Sequence, residues 1–75
     1  MKTDSLTSSI LVKINGEDKS IPQNISILKL IEMYKLNKDR VVIELNKNIL
    51  KKDQYGKITI KSSDEVEIVT FVGGG

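Results

Sequence analysis

The chemistry available to this sequence is concentrated in its last residues, Phe71-Val72-Gly73-Gly74-Gly75. Glycine has no side chain to hold it against a folded domain, so we predict that residues 73–75 form a flexible tail. A fully extended chain covers about 3.3–3.6 Å per residue, so such a tail can enter the cleft of another protein. Gly73 and Gly74 offer little steric resistance in a narrow channel, and the carboxylate of Gly75 is a group that ATP can activate.

Reactive side chains are scarce. The sequence has no cysteine and no histidine, which excludes thiol nucleophiles, disulfides, imidazole bases and the usual zinc ligands. We therefore predict no metal site and no catalysis by a thiol or an imidazole. The glycines alone also allow a second interpretation, a frayed end without function, because chain termini are the segments that fray most readily.

Length and charge narrow the classes of partner. A chain of 75 residues is one small domain, and its 12 basic and 10 acidic residues are spread along the sequence. No basic stripe is available to neutralise phosphates, and the aromatic content of 4% leaves few rings for base stacking. No apolar run approaches the roughly 20 residues that span a bilayer. We expect no nucleic-acid partner, no membrane insertion and a monomer when the chain is free.

The first third of the sequence predicts an arm and a hairpin. Residues 1–9 are polar and aperiodic, so we predict a flexible N-terminal arm that precedes a domain over residues 10–72. Ile10 to Ile14 alternates as a strand does, and Asn15-Gly16 is a strong tight-turn signal. The second strand is short and is expected to close at Pro22, which cannot donate a ladder hydrogen bond.

One helix is predicted after this hairpin. Ser26 is placed to cap a helix that runs from Ile27 to Leu36. Its apolar stripe has the spacing i, i+3, i+4 and i+7, and a methionine borders it. We assign Tyr34, on the stripe, and Met33, beside it, to the core. Asn37 is expected to end the helix, because asparagine tolerates the left-handed conformation.

The second half predicts the rest of a sheet. Val41 to Leu45 is β-branched and nearly continuously apolar, which indicates a strand well inside the sheet. A short strand at residues 49–50, a helical turn within 51–56 and an extended piece at 58–60 follow, and Glu65 to Val72 is the longest strand candidate. A single helix among strands must pack across one sheet face. The predicted fold class is α+β, with four to five strands in a mixed sheet and one main helix.

The final strand carries an anomaly in its alternation. Val66 and Ile68 alternate with Glu65 and Glu67, yet Val69 and Phe71 fall on the carboxylate side. One interpretation is that a loop or sheet edge covers these two apolar residues. The other is a docking patch, formed by Phe71, Val69, Val72, Glu65 and Glu67, that a partner grips while the tail enters its active site.

These features together resemble the ThiS family. The strand-turn-strand start at residues 10–21, the Ser26-capped helix, the strand at 41–46, the Asp64-Glu65-Val66-Glu67-Ile68 run and the ending Phe71 to Gly75 carry the resemblance, which covers about residues 10–75. ThiS proteins are small ubiquitin-like sulfur carriers of thiamin biosynthesis with the β-grasp fold. Two features depart from the family pattern: the arm at residues 1–9, and Ser63, where the family turn often has glycine.

The resemblance implies a role for the glycine tail. The Gly75 carboxylate would be adenylated by an E1-like adenylyltransferase of the ThiF type, which uses ATP. A cysteine desulfurase system would supply the sulfur that converts it to a thiocarboxylate, and a thiazole synthase of the ThiG type would accept that sulfur. The chain would then be a cosubstrate without a bound cofactor and not an enzyme. Its expected location is a bacterial cytoplasm or a plastid stroma.

Three alternatives share much of the pattern. A MoaD-like carrier for molybdopterin synthesis has the same fold and a Gly-Gly ending, but such chains commonly have prolines before the glycines, and residues 67–72 have none. A ubiquitin-like protein modifier uses the same activated carboxylate with a lysine amine as the nucleophile. A passive interaction module would have a tail without function.

Overall fold

A mixed sheet of five strands, with one α-helix across one face, forms the structure, a computed structural model that describes residues 8–71. Most of the predicted arm, the predicted tail at 73–75, and Val72 lie outside the described residues. The strands are β1 (Ser9–Ile14), β2 (Glu17–Pro22), β3 (Val41–Leu45), β4 (Asn48–Ile49) and β5 (Glu65–Thr70), and the helix is α1 (Ile27–Met33).

The sheet order is β2-β1-β5-β3-β4. β1 and β5 are parallel, whereas the other neighbouring strands are antiparallel. The last strand of the sequence therefore lies at the centre, and β3 lies inside the sheet as its hydrophobic sequence predicts. This arrangement confirms the predicted α+β class with one main helix.

One sheet face and α1 enclose the core. Because side chains alternate along a strand, every second residue of β1, β3 and β5 points toward the helix. Ile27, Leu30 and Ile31 of α1 are at most 1% exposed. The other buried residues are Val12, Ile14, Ile21, Val41, Ile43, Tyr55, Ile60, Val66 and Ile68. For the described residues, no buried side-chain N or O atom lacks a hydrogen-bond partner.

Local signals position the hairpin and the start of the helix as predicted. Asn15 and Gly16 have φ angles of 52° and 83°, the positive values that a two-residue hairpin turn of type I′ requires. The Ser26 side chain accepts a hydrogen bond from the Lys29 backbone N–H at 3.0 Å, which confirms the predicted cap.

The helix ends three residues earlier than predicted, at Met33 instead of Leu36. Lys35 takes the left-handed conformation with φ 59°. Its N–H donates to the Glu32 carbonyl and the Leu36 N–H donates to the Ile31 carbonyl, which is the Schellman pattern of a helix terminus. The expected stop at Asn37 is also wrong, because Asn37 instead caps the 3₁₀ turn at Lys38–Arg40, where its side chain accepts from the Asp39 N–H.

This early end changes the predicted core. Met33 and Tyr34 are 41% and 39% exposed, so their assignment to the core is wrong. Tyr55, which the sequence places in a loop, is only 3% exposed. The segment around Tyr55 lies against the first turn of α1. The N–H groups of Ile27 and Leu28 donate hydrogen bonds to the carbonyls of Ile58 and Tyr55. Residues 58–60 therefore lie against the helix start instead of joining the sheet, apart from an isolated bridge between Ser26 and Thr59.

Candidate functional site

The candidate site is built on β5, the strand that leads to the glycines. β5 pairs with β3 over five residue pairs, from Val41 opposite Thr70 to Leu45 opposite Val66. On its other side, the backbone N–H groups of Lys13 and Asn15 donate to the carbonyls of Asp64 and Val66, both at 2.9 Å. Hydrogen bonds on both edges hold this strand in place.

Two asparagines extend this anchoring, one on each side of β5. Asn15 and Asn46 both have positive φ angles, 52° and 51°, and both follow directly after a strand. The Asn15 side chain accepts a hydrogen bond from the Ile68 N–H at 2.7 Å, and the Asn46 side chain accepts one from the Glu65 N–H at 2.9 Å. Asn46 also donates its side-chain amide to Asp64 at 3.0 Å. The start and middle of β5 are thereby held by side chains as well as by backbone.

Exposure divides β5 into two faces. Val66 and Ile68 are 1% and 8% exposed and face the helix. Glu65 and Glu67 are exposed, and Val69 and Phe71 are 58% and 48% exposed. The described part of the chain therefore leaves Val69 and Phe71 open to solvent, which argues against a loop that covers them. Their role in docking, with that of Glu65 and Glu67, stays a prediction.

The register adds two residues that the sequence interpretation missed. On the face of the sheet away from α1, Val42 lies opposite Val69 and Glu44 lies opposite Glu67. Val42 is 38% exposed. The alternation of Val41 to Leu45 could have indicated that both residues face outward, but only the strand pairing shows which residues of β5 they meet.

Charges differ along the outer face. Glu65 lies opposite Lys13, which also forms an ion pair of 2.9 Å with Asp18. The Asp18 carboxylate raises the pKa of the Lys13 ammonium, through its hydrogen bond and its charge, and Glu65 adds a smaller effect. At the other end of the strand, the Phe71 N–H donates to the Arg40 carbonyl at 3.0 Å. Glu65 therefore lies in a mixed-charge region, away from Phe71.

Basic groups lie near the end of β5. Lys52 forms an ion pair of 2.7 Å with Asp39. The Lys52 ammonium holds the pKa of the Asp39 carboxyl below its usual value, with smaller contributions from Lys38 and Arg40. The Arg40 carbonyl accepts the hydrogen bond from the Phe71 N–H. The basic residues Lys38, Arg40 and Lys52 therefore lie near the end of β5.

Other kinds of site find little support in residues 8–71. Among them, no group of three His, Cys, Asp or Glu side chains is placed to hold a metal ion. The α-helix has seven residues, and no helix in this part of the chain has the length and apolar content to cross a membrane. The predicted site residues Val72, Gly73, Gly74 and Gly75 lie outside the described residues, so their roles stay predictions.

The fold has a close counterpart among solved structures. The crystal structure of the thiamine biosynthesis protein ThiS from Geobacter metallireducens superimposes with a TM-score of 0.75 at 26% sequence identity. The match covers 88% of this chain and 100% of that one.

Sequence relatives are of two sizes. The sulfur carrier protein ThiS of Bacillus subtilis is 33% identical over 66 residues, which are 87% of this chain and 100% of the relative. A protein named ycf40 from Porphyra purpurea is 33% identical over 70 residues, 93% of this chain and 99% of the relative. A thiazole synthase of Paramagnetospirillum magneticum is 31% identical over 62 residues, 83% of this chain but only 19% of that longer protein.

A family model matches both the folded domain and the glycine ending. The model of the ThiS family matches residues 12–75, so the match includes both the sheet and the tail sequence. The fold match, the full-length similarity to the Bacillus subtilis protein and this family match agree. The chain therefore belongs to the ThiS family of β-grasp sulfur carriers.

Proposed function

We propose that this protein carries sulfur for thiazole formation in thiamin biosynthesis, as a thiocarboxylate at Gly75. The observation that carries the proposal is the family match, which extends from β1 to Gly75. The absence of cysteine from the sequence supports it, because the chain has no thiol on which sulfur could be held as a persulfide. The carboxylate then remains as the group that can carry it.

The proposed chemistry takes place in three steps. The Gly75 carboxylate attacks the α-phosphate of ATP and forms an acyl adenylate, while pyrophosphate leaves. A terminal persulfide sulfur from the desulfurase system then displaces AMP and forms an acyl disulfide. A thiol reductant cleaves its S–S bond, which leaves a thiocarboxylate in which one carboxylate oxygen is replaced by sulfur. The chain supplies the reacting carbon and its presentation at the end of β5, and it acts as a cosubstrate and not as an enzyme. We propose that it binds no cofactor of its own, since ATP and the sulfur donor are used by its partners.

Three partners follow from this chemistry. An E1-like adenylyltransferase of the ThiF type would activate Gly75, a cysteine desulfurase system would supply sulfur, and a thiazole synthase of the ThiG type would accept it. The last of these is supported by the relative named thiazole synthase, in which a segment similar to this chain is part of a longer protein. Gly73 and Gly74 would pass through the narrow entrance of each active site.

The outer face of β5 fits a docking role in this scheme. Val69 and Phe71 are exposed apolar residues immediately before the glycines, and an enzyme that covers them would hold the body while the tail is bound. Val72 continues this segment in the sequence, and Glu67 lies beside it. We propose a location in a bacterial cytoplasm or a plastid stroma, since the relatives come from bacteria and from an alga.

Intact-mass analysis tests the proposal. The chain is incubated with the adenylyltransferase of its own organism, ATP, cysteine, the desulfurase and a thiol reductant. We expect a product heavier by the difference between one sulfur and one oxygen atom, with fragment ions that place the change on Gly75. A chain that forms no adenylate with this enzyme, or that acquires sulfur elsewhere, would contradict the proposal. Conjugates to lysine in a cell extract would instead indicate a protein modifier.

A further inference from the structure

Two carboxylates face each other on the outer side of the sheet, and neither has a basic partner among residues 8–71. Glu44 of β3 and Glu67 of β5 are directly opposite in the antiparallel register, which places their Cβ atoms about 4.5–5.5 Å apart. The ion pairs among residues 8–71 are Lys13–Asp18, Lys19–Glu17 and Lys52–Asp39, and none includes either residue. Like charges directly opposite on a sheet destabilise it, so the isolated chain gains nothing from this pair.

Apolar side chains border the pair on two sides. Val42 and Val69 form the next outward-facing row toward Phe71, and Ile49 of β4 lies opposite Glu44. All four apolar residues of this region are at least 38% exposed. A partner that covers these apolar groups would remove water from the two carboxylates, and a charge interaction is stronger where water is excluded.

These observations determine the chemistry of the partner surface. A second copy of this chain, placed with Glu44 and Glu67 at the two-fold axis, would bring two further carboxylates against this pair, and self-association in that arrangement is unfavourable. One planar guanidinium has five N–H donors and can bond both carboxylates at once, whereas an apolar group would leave them buried and unpaired.

We infer that the adenylating enzyme seats one basic side chain, an arginine by this geometry, between Glu44 and Glu67, while its apolar residues cover Val42, Val69 and Phe71. This inference rests on the proposed function, and it assigns to Glu44 and Val42 a contact role in the same partner surface. Glu65 is outside this contact because Lys13 lies opposite it.

The test measures stability and affinity separately, because stability is expected to stay the same or rise while affinity falls. Glu44→Gln and Glu67→Gln each remove one charge with little change in shape. We expect the midpoint of urea unfolding to stay the same or to rise, because a repulsion is removed. The affinity for the adenylating enzyme should fall by roughly 10-fold or more for each variant, as for the loss of a charge-assisted hydrogen bond.

Glu32→Gln is the matched control. Glu32 lies on α1, on the other side of the molecule, is exposed and forms no ion pair with the described residues. Its loss changes the net charge equally, so it reports general electrostatic steering alone. We expect less than about a 2-fold effect on affinity at physiological ionic strength.

The outcomes also distinguish this inference from the proposed function. If the wild-type chain is adenylated and both sheet variants bind as Glu32→Gln does, the inference is wrong and the proposed function stands. If the wild-type chain neither binds the enzyme nor forms an adenylate, both fail. A concentration-dependent dimer in sedimentation that the two sheet variants strengthen would show that this face binds a second copy, which also overturns the inference.

Discussion

The side-chain carbonyl of Asn15 accepts a hydrogen bond of 2.7 Å from the backbone N–H of Ile68, a residue 53 positions later in the chain. β1 has ended at Ile14, so the Asn15 side chain continues the pairing with β5 by one step after the backbone has turned away. One residue thus serves both the local hairpin turn, through its positive φ, and the long-range attachment of the central strand.

Substitutions at Asn15 can separate these two roles. Asn15→Gly keeps the left-handed conformation but leaves the Ile68 N–H without its acceptor, and we expect a loss of about 1–3 kcal/mol in the free energy of unfolding. Asn15→Ala should lose about 1–2 kcal/mol more, because its Cβ is strained at this φ. Asn15→Asp retains an acceptor and is the control. Urea denaturation measures all three, and a Gly variant as stable as the wild type would show that the hydrogen bond contributes nothing.

The two tyrosines should respond in opposite ways to truncation. Tyr55→Ala should lower the free energy of unfolding by about 3–5 kcal/mol, the loss typical of a large aromatic residue removed from a core. Tyr34→Ala, at the exposed end of α1, should lower it by less than about 1 kcal/mol. Tyr55→Phe should also be mild, since the Tyr55 hydroxyl lies 3.5 Å from the Val41 carbonyl. Equal losses for both Ala variants would contradict the burial of Tyr55 and the exposure of Tyr34.

Phe71→Ala tests the apolar part of the proposed docking surface. We expect the affinity for the adenylating enzyme to weaken by about 1–3 kcal/mol, as for an aromatic anchor in an interface. The midpoint of thermal unfolding should change little, because Phe71 is half exposed. Tyr34→Ala is the matched control, an exposed aromatic residue on another surface, and should leave affinity unchanged. A large fall in the melting temperature of the Phe71 variant would place Phe71 in the core instead.

The tail is tested by two changes that leave the sheet sequence intact. Removing Gly75 should abolish adenylation, because the carboxylate is displaced by one residue from the position that the enzyme activates. Gly74→Val should slow adenylation, because a β-branched side chain both widens and stiffens the chain in a narrow channel. Thermal unfolding of both should match the wild type, since neither change removes a side chain from the core. Equal adenylation rates for Gly74→Val and wild type would remove the narrow-channel argument.

Local signals predicted the parts of the fold that local chemistry determines. Asn15-Gly16 predicts its hairpin because few residue pairs accept two positive φ angles, and Ser26 predicts the helix start because its hydroxyl can accept a hydrogen bond from the N–H three residues later. The end of α1 escaped prediction for the converse reason. Lys35 takes a left-handed conformation that its residue type does not favour. The backbone hydrogen bonds of the helix terminus and the packing of the partly buried Leu36 against the core stabilise this conformation.

The remaining differences between the predicted and the observed structure come from contacts between residues far apart in the sequence. The alternation along β5 predicts that Val69 and Phe71 lie on the opposite face from the buried Val66 and Ile68. It cannot show that Val42 lies opposite Val69, or Glu44 opposite Glu67. That relation depends on the register between strands far apart in sequence. Tyr55 is likewise buried because its loop covers the start of α1, and no periodicity in residues 51–56 indicates this contact.

The central position of β5 has a consequence for the order of events during synthesis. Within residues 8–71, the hairpins β1–β2 and β3–β4 are joined in the sheet only through β5, which is the last of these five strands to be synthesised. A nascent chain that stops before residue 65 has two separate hairpins whose inner edges expose unpaired backbone groups. Completion of the sheet therefore waits for translation to reach the segment just before the glycines, so a chain terminated before that point lacks the folded sheet face on which the proposed docking surface lies.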